Sequence, residues 1–353
     1  MKNKVFVFTK YGDLGASSRL RFLQYISKLE GKGIDFIVCP LFCNDYINKF
    51  NSHSPISKKY IIYRYFKRLI KLFHIKKGDI LWIEKEIFPY CPSFAEAILS
   101  LFNIKYIIDY DDAIFHNYDS HRLLLVRKVL GKKIDKVMKY SHHVVTGNSY
   151  LADRALLNNK NCTIIPTVVE PNRYLLKEYE QSPLVIGWIG SPSTQKYLIE
   201  IKDILCKVCH DYNAKLLFVG ASKDILKEFD TGLVTVTSWS EENESYLINK
   251  MSIGIMPLED GKWEKGKCGY KLIQYMASGL PVIGSNIGVN KFIIESSNSG
   301  FAVNNDDEWL NAFNKLLSDK RCRDKLGLNG RNAVINKFSV DSQVDLLFSV
   351  LSN

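Results

Sequence analysis

Nowhere in the 353 residues do about 18 uncharged apolar residues run together, which excludes a membrane-spanning helix. The amino terminus, MKNKVFVFTKYGDLG, has only four consecutive apolar residues and no small-residue cleavage site, so it reads as a first buried strand, not a signal peptide. Without an export signal, the eight cysteines are expected to be reduced thiols of a cytoplasmic protein. Low-complexity tracts and short-period repeats are also missing. Acids are in short supply, 37 Asp and Glu against 48 Lys and Arg, and the net charge of +11 calls for an anionic partner. Nucleic acid, a membrane surface and phosphorylated ligands all meet that requirement.

What the sequence does have is apolar residues, 46% of the total, enough for two cores, and its length points to two domains. Short β-branched and aromatic runs at 4–9, 34–39, 79–84, 104–109, 142–147 and 162–166 predict buried strands, with helical spacing between them, as at Phe22, Leu23, Ile26 and Leu29. The scheme restarts with runs at 184–190, 214–220, 233–238, 253–257 and 280–285. Such alternation predicts an α/β fold of two doubly wound domains with parallel sheets and ligands beyond the carboxyl ends of the strands. The polar stretch 170–183, with proline near both ends, marks the seam. The expected parts are an N-terminal domain at 1–178, a C-terminal domain at 179–335 and a closing helix at 336–353.

Three predicted strand ends carry turns suited to anions. After the first strand, YGDLGASSRLRFL supplies Gly12, Gly15 and paired serines, with Arg19 and Arg21 in the first helical turn. GWIGSPSTQKYL supplies Gly190, Ser191 and Lys196, and GKCGYKLIQYMASG places Lys267, Gly269 and Lys271 around a helix start. A cation there opposes the helix dipole at about 0.3–1 kcal/mol, a conflict that a phosphate or diphosphate removes while satisfying free N–H groups. A solvated basic loop is the plainer alternative.

Together with GASSRLRFLQYI, IIDYDDAIF, VVTGNSYLA and GWIGSPST, the segment GYKLIQYMASGLPVIGSNIGVNKFI resembles glycosyltransferase family 4 of the GT-B fold over most of the chain. The resemblance implies two Rossmann-like doubly wound domains facing across a cleft. It further implies a retaining, nucleotide-sugar-dependent transferase without bound metal, whose C-terminal domain holds the donor and whose N-terminal domain holds most of the acceptor. The closing helix would cross back to the first domain. No cofactor is implied, the nucleotide-diphosphate sugar being a co-substrate. The sequence departs from the family's paired glutamates: Gly266 and Gln274 stand at those positions, and SPST replaces an arginine. Gln274 can still accept from a ribose hydroxyl, while Asp260 or Glu264 could reach the sugar.

Asp111, Asp112 and His116 follow the fourth strand and are candidates for orienting or deprotonating an acceptor hydroxyl, with helix capping as the plainer role for the aspartates. The tripeptide Glu84-Lys85-Glu86 after the third strand is a similar acceptor-side candidate. Residues 58–77 hold eight Lys and Arg and no acid, with aromatics at helical spacing, and predict a helix lying on an anionic bilayer through Arg64, Lys67, Arg68 and Lys71. A core-packing helix with a solvated basic face is the alternative, and 122–140 adds a second basic segment. Cys206-Lys-Val-Cys-His210 spells a haem-attachment pattern, but within an apolar helix the cysteines read as core.

These readings converge on a glycosyltransferase moving a sugar from a nucleotide sugar to a glycan or polyprenyl-diphosphate-linked acceptor, in bacterial surface polysaccharide synthesis. Nucleic acid is not expected as a partner. The location expected is cytoplasmic, peripheral on the inner face of the plasma membrane. A non-catalytic partner subunit and a sugar-nucleotide epimerase remain alternatives.

Overall fold

The computed structural model describes residues 4–51, 54–176 and 182–352. The chain divides into two compact units, Met1–Thr167 with Gln343–Asn353, and Val168–Ser342. The expected boundary at 178/179 lies outside the described residues. Residues just before it belong to the second unit, since Val169 bridges to Ser339, Arg173 pairs with Glu241 at 2.6 Å and Tyr174 donates to Glu244 at 2.6 Å. The boundary expected at 335/336 stands against one at 342/343.

The first unit is built on a six-stranded sheet of β1 (Lys4–Phe8), β2 (Asp35–Val38), β3 (Ile80–Glu84), β4 (Lys105–Tyr110), β5 (His143–Thr146) and β6 (Cys162–Ile164), in the order β2-β1-β3-β4-β5-β6. Every ladder is parallel. The central strands are apolar on both faces because helices cover both: Val5, Phe6, Val7 and Phe8 are buried, as are Leu81, Trp82 and Ile83. Phe22 packs on Trp82 with ring centroids 4.4 Å apart. Strand order reverses between β1 and β3, where a ligand crevice belongs at the carboxyl ends.

The second unit carries β7 (Val185–Ile189), β8 (Lys215–Val219), β9 (Val234–Thr237), β10 (Ile253–Met256), β11 (Val282–Ser285) and β12 (Gly300–Val303), ordered β12-β11-β10-β7-β8-β9. Its ladders are parallel too. One core packs Trp188, Leu205, Phe218 and Phe313 together, another Met251, Tyr275, Met276 and Val334. Tyr275 ties the sheet to its covering helix: its hydroxyl accepts from Ile189 N–H at 2.8 Å and donates to Ile255 C=O at 3.2 Å. Here the reversal falls between β7 and β10.

The sequence-based strands match eleven of the twelve strands among the described residues. The missed one, β12, is a partly exposed edge strand of four residues beginning with glycine, too short and mixed to show a period. Cys209 is buried in the helix Lys202–Tyr212 while His210 points outward to Asp230, so the haem-like pattern is a core helix face. Among the described residues no helix is long and apolar enough to cross a membrane.

Candidate functional site

In the second unit, the turn after β7 and the start of the helix Tyr270–Ala277 converge at the sheet's reversal point. Gly269 is the residue before that helix, with φ +65°, and its C=O accepts from Leu272 N–H at 3.0 Å. Lys271 turns back over Trp188, its Nζ 4.5 Å from the ring centroid. No carboxylate among the described residues pairs with it. Burial, and then repulsion from Lys267, lower its pKa to about 7. Gly190 sits against the same ammonium: a Cβ there would come 2.9 Å from Lys271 Nζ. Glycine therefore leaves the space beside an otherwise unneutralised cation. Asn290, in the first turn of the helix Val289–Ser297, borders Gly269, and its buried Oδ1 lacks a partner among the described residues. Sequence reasoning missed Asn290 and Trp188; one reads as a helix-start polar residue, the other as ordinary strand core.

The remaining residues named from the sequence in this unit are divided. Ser191 caps a short turn reciprocally with Thr194. Lys196 is not a free cation, being paired with Glu259, and Asp260 is exposed and paired with Lys265 at 2.8 Å. Lys267 lies 5.4 Å from the Trp263 ring centroid. The Gln274 side chain is buried and makes no hydrogen bond among the described residues, whereas Glu264 is buried and accepts from Tyr197. Lys271 and Gly190 are thus brought together, with Gly269 at the helix start; Lys196 and Asp260 are committed to local ion pairs.

In the first unit, Gly15 precedes the first helical turn, its N–H donating to Gly12 C=O at 3.1 Å, and it lines a cavity at the β1/β3 reversal point. Arg19 donates to Asp13 C=O at 2.9 Å in the same loop. Arg21 is buried and paired with Asp109 at 2.8 Å, a structural role. The expectation for the acidic cluster needs correction. Asp111 and Asp112 are neither helix caps nor free bases, because Lys85 Nζ lies 2.8 and 3.4 Å from them. Burial raises the Asp111 pKa most strongly, but the Lys85 charge together with hydrogen bonds from Lys85 and Ser17 outweighs it and the net shift is downward. His116 is held at both ring nitrogens, by Asp119 at 2.9 Å and Tyr150 at 2.9 Å, which leaves neither nitrogen for a substrate proton. Glu86 accepts from Tyr118 at 2.8 Å and pairs with buried Lys133, so it too is structural.

The basic helix Lys58–Leu72 is turned opposite to expectation at two positions. Arg68 is only 4% exposed and donates to the carbonyls of Thr9 and Cys39, while Arg64 donates to Leu41 and Pro40. These arginines help close loop carbonyls at the strand ends, of which Thr9 also accepts from Leu41 N–H at 2.9 Å. The outer face is instead Ile62, Tyr63, Phe66, Ile70 and Phe73, flanked by exposed Lys59, Lys67 and Lys71.

The second unit's sequence matches the family model described as "Glycosyl transferases group 1" over residues 183–319. Among its relatives is the capsular polysaccharide biosynthesis glycosyltransferase CapM of Staphylococcus aureus, 28% identical over 167 residues, which are 44% of this chain and 42% of CapM. Spore coat protein SA of Bacillus subtilis is 33% identical over 78 residues, 21% of each chain. The matched part thus spans less than half the length of these curated relatives. Among solved structures, a glycosyltransferase from Rickettsia africae ESF-5 superposes over 100% of this chain and 98% of its own with TM-score 0.70 at 14% identity. Anabaena HepE in complex with UDP-glucose covers 99% of both chains with TM-score 0.70 at 13% identity. The architecture is GT-B, with two Rossmann-like domains, as the glycosyltransferase resemblance implied.

Proposed function

We propose that this chain is a glycosyltransferase that takes its sugar from a nucleotide diphosphate and places it, with retention, on a glycan or lipid-linked acceptor of a surface polysaccharide. The observation that carries the reading is Lys271, an ammonium with no carboxylate partner among the described residues, packed on Trp188 beside Gly190 at the reversal point of a Rossmann-like sheet. A diphosphate leaving group gains charge as the glycosidic bond breaks, so a cation and N–H groups held in place stabilise the transition state more than the ground state. Front-face attack, with the departing diphosphate taking the acceptor proton, needs no protein nucleophile. CapM is named for capsular polysaccharide biosynthesis and HepE is solved with UDP-glucose, which supports this substrate class.

The outer face of Lys58–Leu72 supports a site of action at an anionic membrane surface, the inner face of the plasma membrane in this reading. Ile62, Phe66 and Phe73 are 68%, 59% and 81% exposed beside Lys67 and Lys71, whereas Arg64 and Arg68 are excluded from that contact by their inward hydrogen bonds. The missing glutamates at Gly266 and Gln274 favour a second reading, a non-catalytic partner subunit that binds nucleotide without turnover. Thermal-shift measurements with UDP-, GDP- and other nucleotide sugars, followed by hydrolysis and transfer assays, separate the two. Binding with turnover supports the transferase; conversion of the donor to an epimer without acceptor would replace it with an epimerase, and no binding at all would end it.

A further inference from the structure

The acceptor-side aspartates and histidine expected from the sequence are tied up in protein contacts, yet the first unit has a cavity at its own reversal point. It measures about 290 Å³ and lies between the ends of β1 and β3, the Gly12–Ala16 turn and the helix Asn44–Asn51. That is close to the ~300 Å³ lower end of small-molecule sites, suited to a single ring and not to a whole sugar nucleotide. Its walls include Tyr11 and Tyr46, with centroids 5.9 Å apart, and the side chains of Leu14 and Ile47. The phenol groups of both tyrosines make no hydrogen bond among the described residues. At the inner end stands Glu84, 2% exposed, which also lines a second, smaller cavity of about 70 Å³.

Glu84 is unlike its neighbours. Its Oε2 accepts from Lys10 N–H at 2.7 Å and Ser18 Oγ–H at 2.6 Å, fixing the side chain. Its Oε1 is buried and has no partner among the described residues. Asp109, opposite it on β4, is taken by Arg21, and Glu86 by Lys133 and Tyr118. Lys85, which follows Glu84 in the left-handed region at φ +64°, also lines the cavity, but its ammonium is paired with Asp111 and Asp112 and not with Glu84. A buried carboxylate oxygen left without a donor is costly, and strained backbone beside such a group is characteristic of functional sites.

We propose that Glu84 is the hydroxyl-reading residue of a monosaccharide subsite formed by this cavity. The ligand class is a neutral pyranose, the terminal sugar of the acceptor. Its apolar face lies against Tyr11 or Tyr46 and one of its hydroxyls donates to Glu84 Oε1. The acidic cluster then has a positioning role, holding Lys85 off Glu84 so that the carboxylate is left to the sugar. This inference rests on the transferase reading for the word acceptor, but its test does not.

The probes are methyl glycosides of glucose, galactose, mannose and the N-acetylhexosamines, followed by ligand-observed NMR on the full chain. UDP and GDP are followed in parallel by thermal shift. Glu84→Gln replaces the open acceptor with a donor, and Ile47→Trp fills the cavity without touching the carboxylate's hydrogen bonds. The expected result is that at least one glycoside binds, that each variant weakens it by about tenfold to a hundredfold, the range for a hydroxyl bonded to a charged group, and that the nucleotide shift is unchanged. Should Glu84→Gln not fold, Ile47→Trp decides the matter. A glycoside bound equally well by the folded variants, or nucleotide binding with no glycoside bound at all, would overturn the subsite and leave the transferase standing. Failure of the wild-type chain to take either nucleotide or glycoside would bring both down.

Discussion

On the proposed reading, Lys271 should make donor binding proton-linked. An ammonium with its pKa lowered to about 7 is half charged at that pH in the free protein, and a diphosphate placed against it raises the pKa and draws in a proton. With that value, about a quarter of the side chain is charged at pH 7.5, so binding takes up about 0.75 proton per nucleotide; at pH 6 uptake falls to about 0.1. Affinity for a sugar nucleotide, whose doubly esterified diphosphate does not titrate in this range, should fall about fiftyfold between pH 7 and 9 but only about twofold between pH 6 and 7. Titration calorimetry in buffers of different ionisation enthalpy reads the proton directly. Lys271→Arg keeps a charge that does not titrate, and its profile should be flat; Lys271→Ala should lose donor binding with its fold intact. The same depression has an opposite consequence for stability. The unfolded chain holds the proton up to its ordinary value of 10.5, so the unliganded fold gains stability from this residue as pH rises above 7. Donor binding that takes up no proton, or that is unchanged in Lys271→Ala, would refute the assignment.

Other expectations concern residues whose roles the structure separates. Gly269→Ala puts a Cβ 2.4 Å from Ile293 Cδ1 in a left-handed backbone, so it should cost about 1–2 kcal/mol for the backbone alone in chemical denaturation and disturb donor binding as the helix start shifts. Asp109→Ala strands the buried Arg21 guanidinium and should destabilise the fold by about 3–5 kcal/mol, read by urea midpoint. Replacing Lys67 and Lys71 with Gln should weaken sedimentation with phosphatidylserine vesicles about thirtyfold, at about 1 kcal/mol for each cation, while melting stays unchanged. Arg68→Ala should instead lower the melting temperature, because it leaves the Cys39 carbonyl without this donor and the Thr9 carbonyl with only Leu41 N–H.

The architecture was legible in the order of residues along the chain. Continuous apolar runs such as KVFVF and ILWIE can be buried only in sheets covered on both faces, and their alternation with helical spacing leaves little besides paired parallel sheets. The glycine-bearing strand ends were legible for the same local reason, and so was the helix start after Gly269. What only the tertiary structure decided is which polar side chains are already committed. Lys196 and Lys271 carry the same charge near similar turns, yet one meets Glu259 and the other a tryptophan face. Arg68 and Lys67 are adjacent in a basic helix, yet one closes carbonyls inside and the other faces out. Glu84 and Glu86 are two residues apart, but one of them keeps an oxygen unpaired. Apolar patterning is local and survives in one dimension. The partner of a charge is set by segments tens of residues away, so the pairing that separates a structural ion from an available one exists only once the chain has folded.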